Sequence, residues 1–598
     1  MRGTGFGAER EGCWERAAAP TQRHVRFLPV GALRVRQNGR MDTELDHERC
    51  YRAVASRDAR FDGAFYTAVR TTGIYCRPSC PAITPRRGNV GFFRTAAAAQ
   101  QAGYRACRRC RPDAVPGSAE WNVRGDVVGR AMRLVADGAV DRVGVAGVAA
   151  ALGYSQRHLT RLVSAELGAG LLAIARTQRA HTARLLLEST DLPATDVAWA
   201  AGFGSVRSFN DTISAVYGAS PSALRGRLGR SGRAHGRRAA GDHATGDVRH
   251  AGQGLADRAP GADRPGAGAP GSAAAPPGAD RPGAAADQPG AAARTAVGFP
   301  VTVRLPARAP IDVAGTLAFL GLRAVPGLEA WDGRRYRRSL VLPHGHGTVA
   351  CSPVTGGVLA EFRLHDLRDL SAAVARVRRL LDLDADPEAV GEVLGRDPLL
   401  ADLVAARPGL RVPGGVDPHE ILVRAIVGQQ VSVAGARTLV GRLVTAHGAP
   451  LALPDGALER AFPTAEAIAA LDPGVLPMPR ARACGLVSAC QRLVEGTLVL
   501  DAGADRQEAA AGLQQVAGIG PWTAGYLAMR GLGDPDVWLS GDLGVRRAIA
   551  ARGADDRPAA VADRAHAWRP WRSYAVVHLW ASAASADRPD PATRGARR

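Results

Sequence analysis

The sequence contains no lysine, so arginine supplies all 77 of its basic side chains. Reactions that need a lysine Schiff base are therefore excluded at its side chains. It also lacks an apolar run long enough to span a membrane, and we expect no membrane partner. Arginine outnumbers the acidic residues, and the formal net charge of +21 indicates a polyanionic partner such as nucleic acid.

Cysteine is scarce, with nine in 598 residues, yet four of the nine form two close pairs. Three residues separate Cys76 from Cys80, two separate Cys107 from Cys110, and 26 lie between the pairs. This spacing is typical of a tetrahedral Zn²⁺ site. The pattern alone fits a purely structural site as well as one with a reactive sulfur. Bound zinc would hold the sulfur as a thiolate, which is its nucleophilic form.

The residues around these cysteines resemble the zinc domain of Ada-type adaptive-response proteins over three segments: 65–80, 86–90 and 103–112. The resemblance implies that Cys76 accepts a methyl group irreversibly from methylphosphotriesters in alkylated DNA. The other three cysteines of the pairs would remain ligands. One Zn²⁺ would then be both structural and catalytic.

Two helix–turn–helix patterns follow, at residues 145–162 and 197–210, with a predicted connecting helix over 171–188. Each has small apolar residues, a glycine turn and a serine that caps the second helix. One such pattern alone fits an ordinary helical hairpin. The two in this order resemble the AraC-type DNA-binding domain. The polar faces of the second helices provide the candidate DNA contacts: Gln156, Arg157, Arg161, Arg207 and Asn210.

Residues 229–294 are mainly Gly, Ala, Pro, Asp and Arg, with repeated Ala-Asp-Arg-Pro-Gly elements. They contain too few large apolar side chains to form a core. We expect a disordered linker with a reach of roughly 45 Å. Such a linker would let the two flanking halves act on one stretch of DNA without a fixed interface.

The second half opens with alternating residues and a turn at Asp332 and Gly333, which predict strands and a hairpin. The pattern is then helical almost to the end. This order resembles AlkA-type 3-methyladenine DNA glycosylases, and three segments carry the resemblance: 405–414, 424–434 and 568–575.

A Gly-x-Gly turn at Gly518 and Gly520 could aim backbone N–H groups at a phosphate from a helix N-terminus. Asp542 follows about twenty residues later, and together they resemble the signature of the helix–hairpin–helix glycosylases. The resemblance implies that Asp542 stabilises the positive charge developing on the sugar and helps water to attack. The alternative is that Asp542 only caps the helix that follows it.

The resemblance also places Trp522, Tyr526 and Trp580 on the base pocket, where stacking would favour a positively charged methylated base. It places Gln429 and Gln430 at the loop that fills the gap left by the flipped nucleotide. The cysteines of this half stand singly, so we expect no iron–sulfur cluster. Without lysine, cleavage of the sugar backbone is not expected either.

The predicted fold class is a multidomain, mainly α protein with a small zinc domain, two helix–turn–helix units, a disordered linker, a small α+β domain and an all-α helix–hairpin–helix glycosylase domain. Residues 1–40 are expected to be a disordered arm or to precede the true start. The further boundaries are 41–115 for the zinc domain, 121–226 for the AraC-type domain, 229–294 for the linker, 295–385 for the α+β domain, 386–585 for the glycosylase domain and 586–598 for a disordered tail.

The sequence therefore predicts a bacterial, cytoplasmic, nucleoid-associated monomer that repairs alkylated DNA and regulates the adaptive response. Its expected partners are alkylated duplex DNA, promoter DNA and RNA polymerase. The expected enzyme is a monofunctional glycosylase that excises 3-methyladenine and related alkylated purines. One alternative is a regulator whose inactive glycosylase half only scans DNA. Another is a repair enzyme whose zinc domain only targets damaged DNA and accepts no methyl group.

Overall fold

The structure is a computed structural model. It describes residues 45–58, 61–107, 109–110, 112, 127–225 and 300–586. The predicted arm at 1–40, the predicted linker at 229–294 and the predicted tail at 586–598 lie outside the described residues, except that Ala586 is the last residue of a helix. Below, the N-terminal half means the described residues up to 225, and the C-terminal half means those from 300 onwards.

The first part of the N-terminal half is a small sheet with two helices against it. Its elements are helix α1 (His47–Ala55), strands β1 (Tyr66–Val69), β2 (Ile74–Cys76) and β3 (Val90–Phe93), helix α2 (Ala96–Gln101) and strand β4 (Arg105–Ala106). The strands form one sheet in the order β3-β1-β2-β4. The β2–β4 pair is parallel, and the other two pairs are antiparallel.

The N-terminal half continues with helices α3 (Val127–Ala136), α4 (Ala139–Ala151), α5 (Gln156–Leu167), α6 (Leu171–Ser189), α7 (Ala194–Ala200) and α8 (Val206–Tyr217), and residues 221–225 are also helical. The predicted connecting helix is α6, and it extends one residue further than expected. The predicted serine caps are confirmed. Ser155 Oγ accepts the N–H of His158 at 3.3 Å, and Ser205 Oγ accepts the N–H of Ser208 at 3.1 Å. The two helix–turn–helix units are therefore α4–α5 and α7–α8.

The C-terminal half begins with a five-stranded antiparallel sheet in the order β5-β9-β8-β7-β6. Its elements are β5 (Pro300–Pro306), α9 (Val313–Gly321), β6 (Glu329–Trp331), β7 (Tyr336–Leu342), β8 (Gly345–Val354), β9 (Gly357–Leu364) and α10 (Leu370–Leu380). The predicted hairpin is confirmed between β6 and β7. Asp332 Oδ1 accepts two backbone N–H groups in its turn, and Gly333 has a φ of 95°.

The prediction that the chain is helical after this hairpin is wrong for two stretches. Strands β8 and β9 complete the sheet, and a second hairpin of β10 (Pro450–Asp455) and β11 (Leu458–Arg460) lies among the helices. The middle of β8 is buried on both faces, from Gly347 to Cys351. A strand buried on both faces has no alternation of polar and apolar residues, so periodicity alone does not reveal it.

The remainder is helical: α11 (Pro387–Leu394), α12 (Ala401–Ala406), α13 (Pro418–Val427), α14 (Val433–His447), α15 (Ala465–Ala469), α16 (Arg480–Val494), α17 (Arg506–Gln514), α18 (Pro521–Arg530), α19 (Leu543–Ala551), α20 (Pro558–Arg564) and α21 (Arg572–Ala586). One buried core surrounds α13, α16 and α18, and another lies beneath α21 around Trp568. Within the described ranges, every helix is too short or too polar to cross a membrane.

The two halves are in contact, contrary to the expectation of halves without a fixed interface. The described residues from 45 onwards belong to one compact unit, and helix α6 contacts strand β5 while α3 contacts α10. A single buried core includes Leu186 of α6, Ile213 of α8 and Val303 of β5. This contact could not be predicted from the sequence, because composition and periodicity do not report which surfaces of separate domains meet.

Candidate metal centre and candidate active site

The fold brings the two cysteine pairs together through parallel pairing of β2 with β4. Tyr75 of β2 pairs with Ala106 of β4, and the N–H of Cys107 donates to the Tyr75 carbonyl at 2.9 Å. The second pair thus lies directly beside Cys76, the last residue of β2. The Sγ atoms of the four cysteines all lie within 4.8 Å of one another.

This arrangement fits zinc. A tetrahedral ion with Zn–S bonds of about 2.3 Å separates neighbouring sulfurs by about 3.8 Å, which the observed cluster accommodates. The crowded thiols also compete for protons. A hydrogen bond to Cys110 lowers the pKa of Cys107, whereas a hydrogen bond to Cys107 raises the pKa of Cys76. A divalent cation removes that competition by binding all four sulfurs as thiolates.

The four sulfurs differ in access. Cys76 and Cys80 are partly exposed, whereas Cys107 and Cys110 are buried. A methyl donor could therefore reach only the first pair. The loop between Cys76 and Cys80 is held by Asp62, whose carboxylate accepts the N–H of Ser79 at 3.0 Å and its hydroxyl at 2.6 Å.

The predicted DNA-contacting residues lie on the outer faces of two helices. Gln156, Arg157 and Arg161 are exposed on α5, and Arg207 and Asn210 are exposed on α8. Each set lies on the second helix of its helix–turn–helix unit, as the predicted recognition helices require. Their exposure leaves these side chains accessible to a groove or a phosphate.

In the C-terminal half, a cavity of about 730 Å³ brings together the predicted base pocket. Trp522, Tyr526, Trp580 and Asp542 all line it. The Trp522 and Tyr526 rings stack with centroids 5.2 Å apart and planes at 19°, and the Tyr526 and Trp580 centroids are 6.3 Å apart. Three aromatic rings and one carboxylate therefore share one wall.

Asp542 accepts three hydrogen bonds. Its Oδ1 caps α19 by accepting the N–H of Val545 at 2.8 Å and also accepts the indole N–H of Trp580 at 2.9 Å. Its Oδ2 accepts the indole N–H of Trp522 at 3.0 Å. Asp542 therefore caps α19, as the alternative interpretation predicted, and it also lines the cavity. The residue is 8% exposed, so its carboxylate is oriented before any ligand arrives.

The Gly-x-Gly turn joins α17 to α18 beside this cavity. Gly518 has a φ of 84°, a conformation that favours glycine, and Gly520 is the N-cap of α18. The turn therefore ends at a helix N-terminus, where backbone N–H groups and the helix dipole favour an anion.

The two predicted gap-filling glutamines have different surroundings. Gln429 Nε2 donates to the Gly518 carbonyl at 3.0 Å and to Thr523 Oγ1 at 3.2 Å, so it ties its loop to the hairpin. Gln430 is exposed and has a φ of 58°, which is strained for a residue with a side chain. The structure thus separates a hairpin-binding residue from one that projects outward.

The sequence did not reveal three further cavity residues: Phe319, Arg323 and Arg530. The Arg323 guanidinium lies 3.6 Å from the centre of the Phe319 ring, and burial lowers the pKa of Arg323 to about 10. Arg530 Nε donates to the Pro413 carbonyl at 2.6 Å. Phe319 and Arg323 belong to the sheet domain. The only sequence signal that could have placed them together was their spacing of four residues, which spans the end of α9.

A buried carboxylate on an aromatic cavity, beside a helix–hairpin–helix turn, defines the class of the helix–hairpin–helix DNA glycosylases. Family models match three parts of the chain. The metal binding domain of Ada matches residues 49–113, a helix-turn-helix domain matches 148–227 and the AlkA N-terminal domain matches 302–417.

The chain is similar to a protein of Mycobacterium tuberculosis named a probable bifunctional transcriptional activator/DNA repair enzyme AlkA. They are 48% identical over 539 residues, which cover 90% of this chain and 96% of that protein. The chain therefore belongs to the family of bifunctional transcriptional activator/DNA repair AlkA proteins.

Two relatives from Escherichia coli match its separate halves. DNA-3-methyladenine glycosylase 2 is 38% identical over 280 residues, covering 45% of this chain and 94% of the relative. The bifunctional transcriptional activator/DNA repair enzyme Ada is 38% identical over 147 residues, covering 25% of this chain and 39% of the relative.

Proposed function

We propose that the protein excises 3-methyladenine and related alkylated purines from DNA as a monofunctional glycosylase, with Asp542 as the catalytic carboxylate. The observation that carries this proposal is the pair of indole N–H groups, from Trp522 and Trp580, that hold Asp542 on the wall of the aromatic cavity. A buried carboxylate in this position meets positive charge developing on a sugar at the cavity mouth.

In the proposed reaction, a flipped purine enters the cavity and stacks on the Trp522–Tyr526 pair. A methylated ring nitrogen gives the base a positive charge, which the aromatic faces attract. The bond between the base nitrogen and the sugar carbon breaks, and its electron pair neutralises the base. Asp542 stabilises the resulting sugar cation, and water adds to that carbon and releases a proton.

DNA would be held by the turn at Gly518 and Gly520, whose helix N-terminus suits a backbone phosphate. Gln430 projects from an adjoining loop and would occupy the gap left by the flipped nucleotide. Gln429 would support that loop through its bonds to Gly518 and Thr523.

We further propose that Cys76 is a methyl acceptor. Its Sγ would attack the methyl carbon of a methylphosphotriester, forming a C–S bond while the C–O bond breaks and the phosphate oxygen keeps the electron pair. Cys80, Cys107 and Cys110 would complete the site for one Zn²⁺. The zinc ion, when bound, keeps the sulfur ionised at neutral pH. No iron–sulfur cluster enters this scheme.

The helix–turn–helix units would read promoter DNA through Gln156, Arg157 and Arg161 on α5 and through Arg207 and Asn210 on α8. Their exposure supports base or phosphate contacts. Activation would then bring RNA polymerase to the promoter. We propose that the protein acts as a monomer on chromosomal DNA, and therefore in the cytoplasm.

Release of free methylated purine from alkylated duplex DNA tests the glycosylase. We expect the protein to release the base and Asp542→Asn to lose at least about 100-fold in rate. The asparagine retains an oxygen for the Val545 N–H, so α19 keeps its cap and duplex DNA affinity should change little. Equal rates for both proteins would exclude Asp542 as the catalytic group. No release by either folded, DNA-bound protein would favour the regulator-only alternative.

Intact mass after exposure to methylphosphotriester DNA tests the acceptor. We expect one added methyl group on the protein and none on Cys76→Ala. Cys484→Ala is the matched control, because Cys484 is exposed and lies outside the cysteine cluster. If the mass of the unsubstituted protein did not change after exposure to this DNA, the zinc domain would accept no methyl group and would only target damaged DNA.

A further inference from the structure

The two halves meet at a charged cluster that comprises the buried Asp137 and three partly exposed arginines, Arg142, Arg376 and Arg379. Asp137 lies between α3 and α4 and is 8% exposed. Its Oδ1 is 3.6 Å from Arg376 Nε and 3.5 Å from Arg379 Nη2, both on α10 of the other half. Its Oδ2 is 3.1 Å from Arg142 Nη2 within its own half.

The charges in this cluster make the contact specific. Burying a carboxylate is costly unless cations compensate it, and two of the three cations at Asp137 come from the opposite half. If the halves separated, Arg376 and Arg379 would lose a shared anionic partner. A different surface would have to present an acid at the same place to replace it.

Directional hydrogen bonds surround the charged cluster. Gln178 Nε2 on α6 donates to Ser371 Oγ on α10 at 2.6 Å. Arg130 Nε donates to the Gly503 carbonyl at 2.6 Å, and Arg133 Nε donates to the Ala502 carbonyl at 2.8 Å. These bonds reach two separate parts of the C-terminal half, so they fix orientation as well as proximity.

Close apolar packing accompanies these polar contacts. A Cβ placed on Gly503 would come within 2.6 Å of Leu134 Cδ1, which shows how tightly α3 lies on that loop. On the other side, Leu186 of α6 and Val303 of β5 belong to one buried core. Such shared burial stabilises an interface beyond its charge pairs.

The zinc domain takes part as well. Arg308 of the C-terminal half donates from Nη2 to the Asp62 carbonyl at 3.1 Å and from Nη1 to the Asp384 carbonyl at 2.8 Å. The Asp62 carboxylate holds Ser79 in the loop that carries Cys76 and Cys80. One arginine therefore connects the cysteine loop with the C-terminal half.

We infer that residues 300–586 are the docking partner of residues 45–225 in the same chain, and that the Asp137 cluster determines this docking. The two halves then act as one body on DNA, and an intact connection through residues 229–294 is not needed to keep them together. Association of the two halves does not depend on either proposed reaction.

The test uses the full-length protein with a specific protease site inserted after Gly268, within the connecting segment. After cleavage we expect both fragments to co-elute on size-exclusion chromatography at the mass of one uncut chain. Asp137→Arg should weaken their association by about 30-fold or more in dissociation constant. Arg376→Glu with Arg379→Glu should do the same from the other side.

Combining all three substitutions should restore much of the association, which distinguishes lost docking from lost folding. Asp211→Arg is the charge-matched control, because Asp211 is exposed on α8, and it should leave the fragments together. Separate elution of the cleaved, unsubstituted halves would overturn the inference. Elution of the uncut chain as a dimer whose halves exchange between chains would overturn docking within one chain.

Discussion

The indole Nε1 of Trp580 donates a 2.9 Å hydrogen bond to Oδ1 of Asp542, linking the C-terminal helix α21 to the cap of α19. Trp522 of α18 donates to the other carboxylate oxygen. Three helices therefore fix one carboxylate whose own backbone lies in a short turn. A group held by preformed bonds need not reorganise when charge develops opposite it, which is the main source of electrostatic catalysis.

Replacing Trp580 by phenylalanine should separate orientation from base stacking. The ring remains on the cavity wall, but the N–H donor to Asp542 is lost. A hydrogen bond to a charged acceptor contributes about 1.5–3 kcal/mol. We expect Trp580→Phe to lower kcat for methylated-purine release by about tenfold while KM changes less than about twofold.

Trp538→Phe is the matched control for this experiment. Trp538 is also an indole of the C-terminal half, but its Nε1 has no hydrogen-bond partner among the described residues. Its replacement should leave kcat unchanged. If Trp580→Phe raised KM and left kcat intact, Trp580 would contribute to base binding and would not position Asp542.

The two glutamines of the α13–α14 loop should give different phenotypes. Gln430 projects outward, so Gln430→Ala should slow excision from fully paired DNA about tenfold. The same substitution should slow excision much less when the alkylated base lacks a pairing partner, because flipping such a base out of the duplex costs less free energy. Gln429 binds the hairpin, so Gln429→Ala should weaken the binding of both substrates equally, which would be seen as a higher Kd for each. Equal losses on the two substrates for Gln430→Ala would contradict a gap-filling role.

The sequence predicts candidate residues for both sites, but it does not predict the contacts around them. The spacing of Cys76 and its three partners indicates a metal site, and the resemblance to the helix–hairpin–helix glycosylases implies the role of Asp542. That Trp580 donates to Asp542 could not be predicted, because the two residues come from separate helices. Arg323 was missed for the same reason, since it reaches the cavity from a sheet domain about two hundred residues earlier.

The strand and interface errors have a related physical cause. An alternation of polar and apolar residues reveals a strand only when one of its faces is exposed. The middle of β8 is buried on both faces, so it has no such alternation. The sequence around Asp137 does not indicate its two arginine partners on α10, because they are distant in sequence. Contacts distant in sequence leave little trace in local composition.

Removing zinc should affect the two halves unequally. We expect a chelator or Cys110→Ser to abolish methyl acceptance, because Cys110 is a buried member of the four-sulfur cluster. Glycosylase activity should stay within about twofold, because the two cores against which Tyr526 and Trp580 pack contain no zinc-domain residue. Zinc content and both activities can be measured on the same preparation. A parallel loss of base excision would show that the cavity depends on the zinc domain.

His578 should make the glycosylase half sensitive to acid. It is buried in α21, and burial lowers its pKa from 6.5 to about 4. Below pH 6.5 the His578 imidazole is protonated in the unfolded chain but stays neutral in the folded chain. The free energy of unfolding therefore falls as the pH drops from 6.5 towards 4. The loss should reach about 2 kcal/mol at pH 5.

His578→Gln removes this titration. The urea midpoint of the variant, followed by tryptophan fluorescence, should therefore fall less between pH 7 and pH 5 than that of the unsubstituted protein. His566→Gln, at an exposed site, should behave like the unsubstituted protein. Equal losses for all three proteins would exclude His578 as the source.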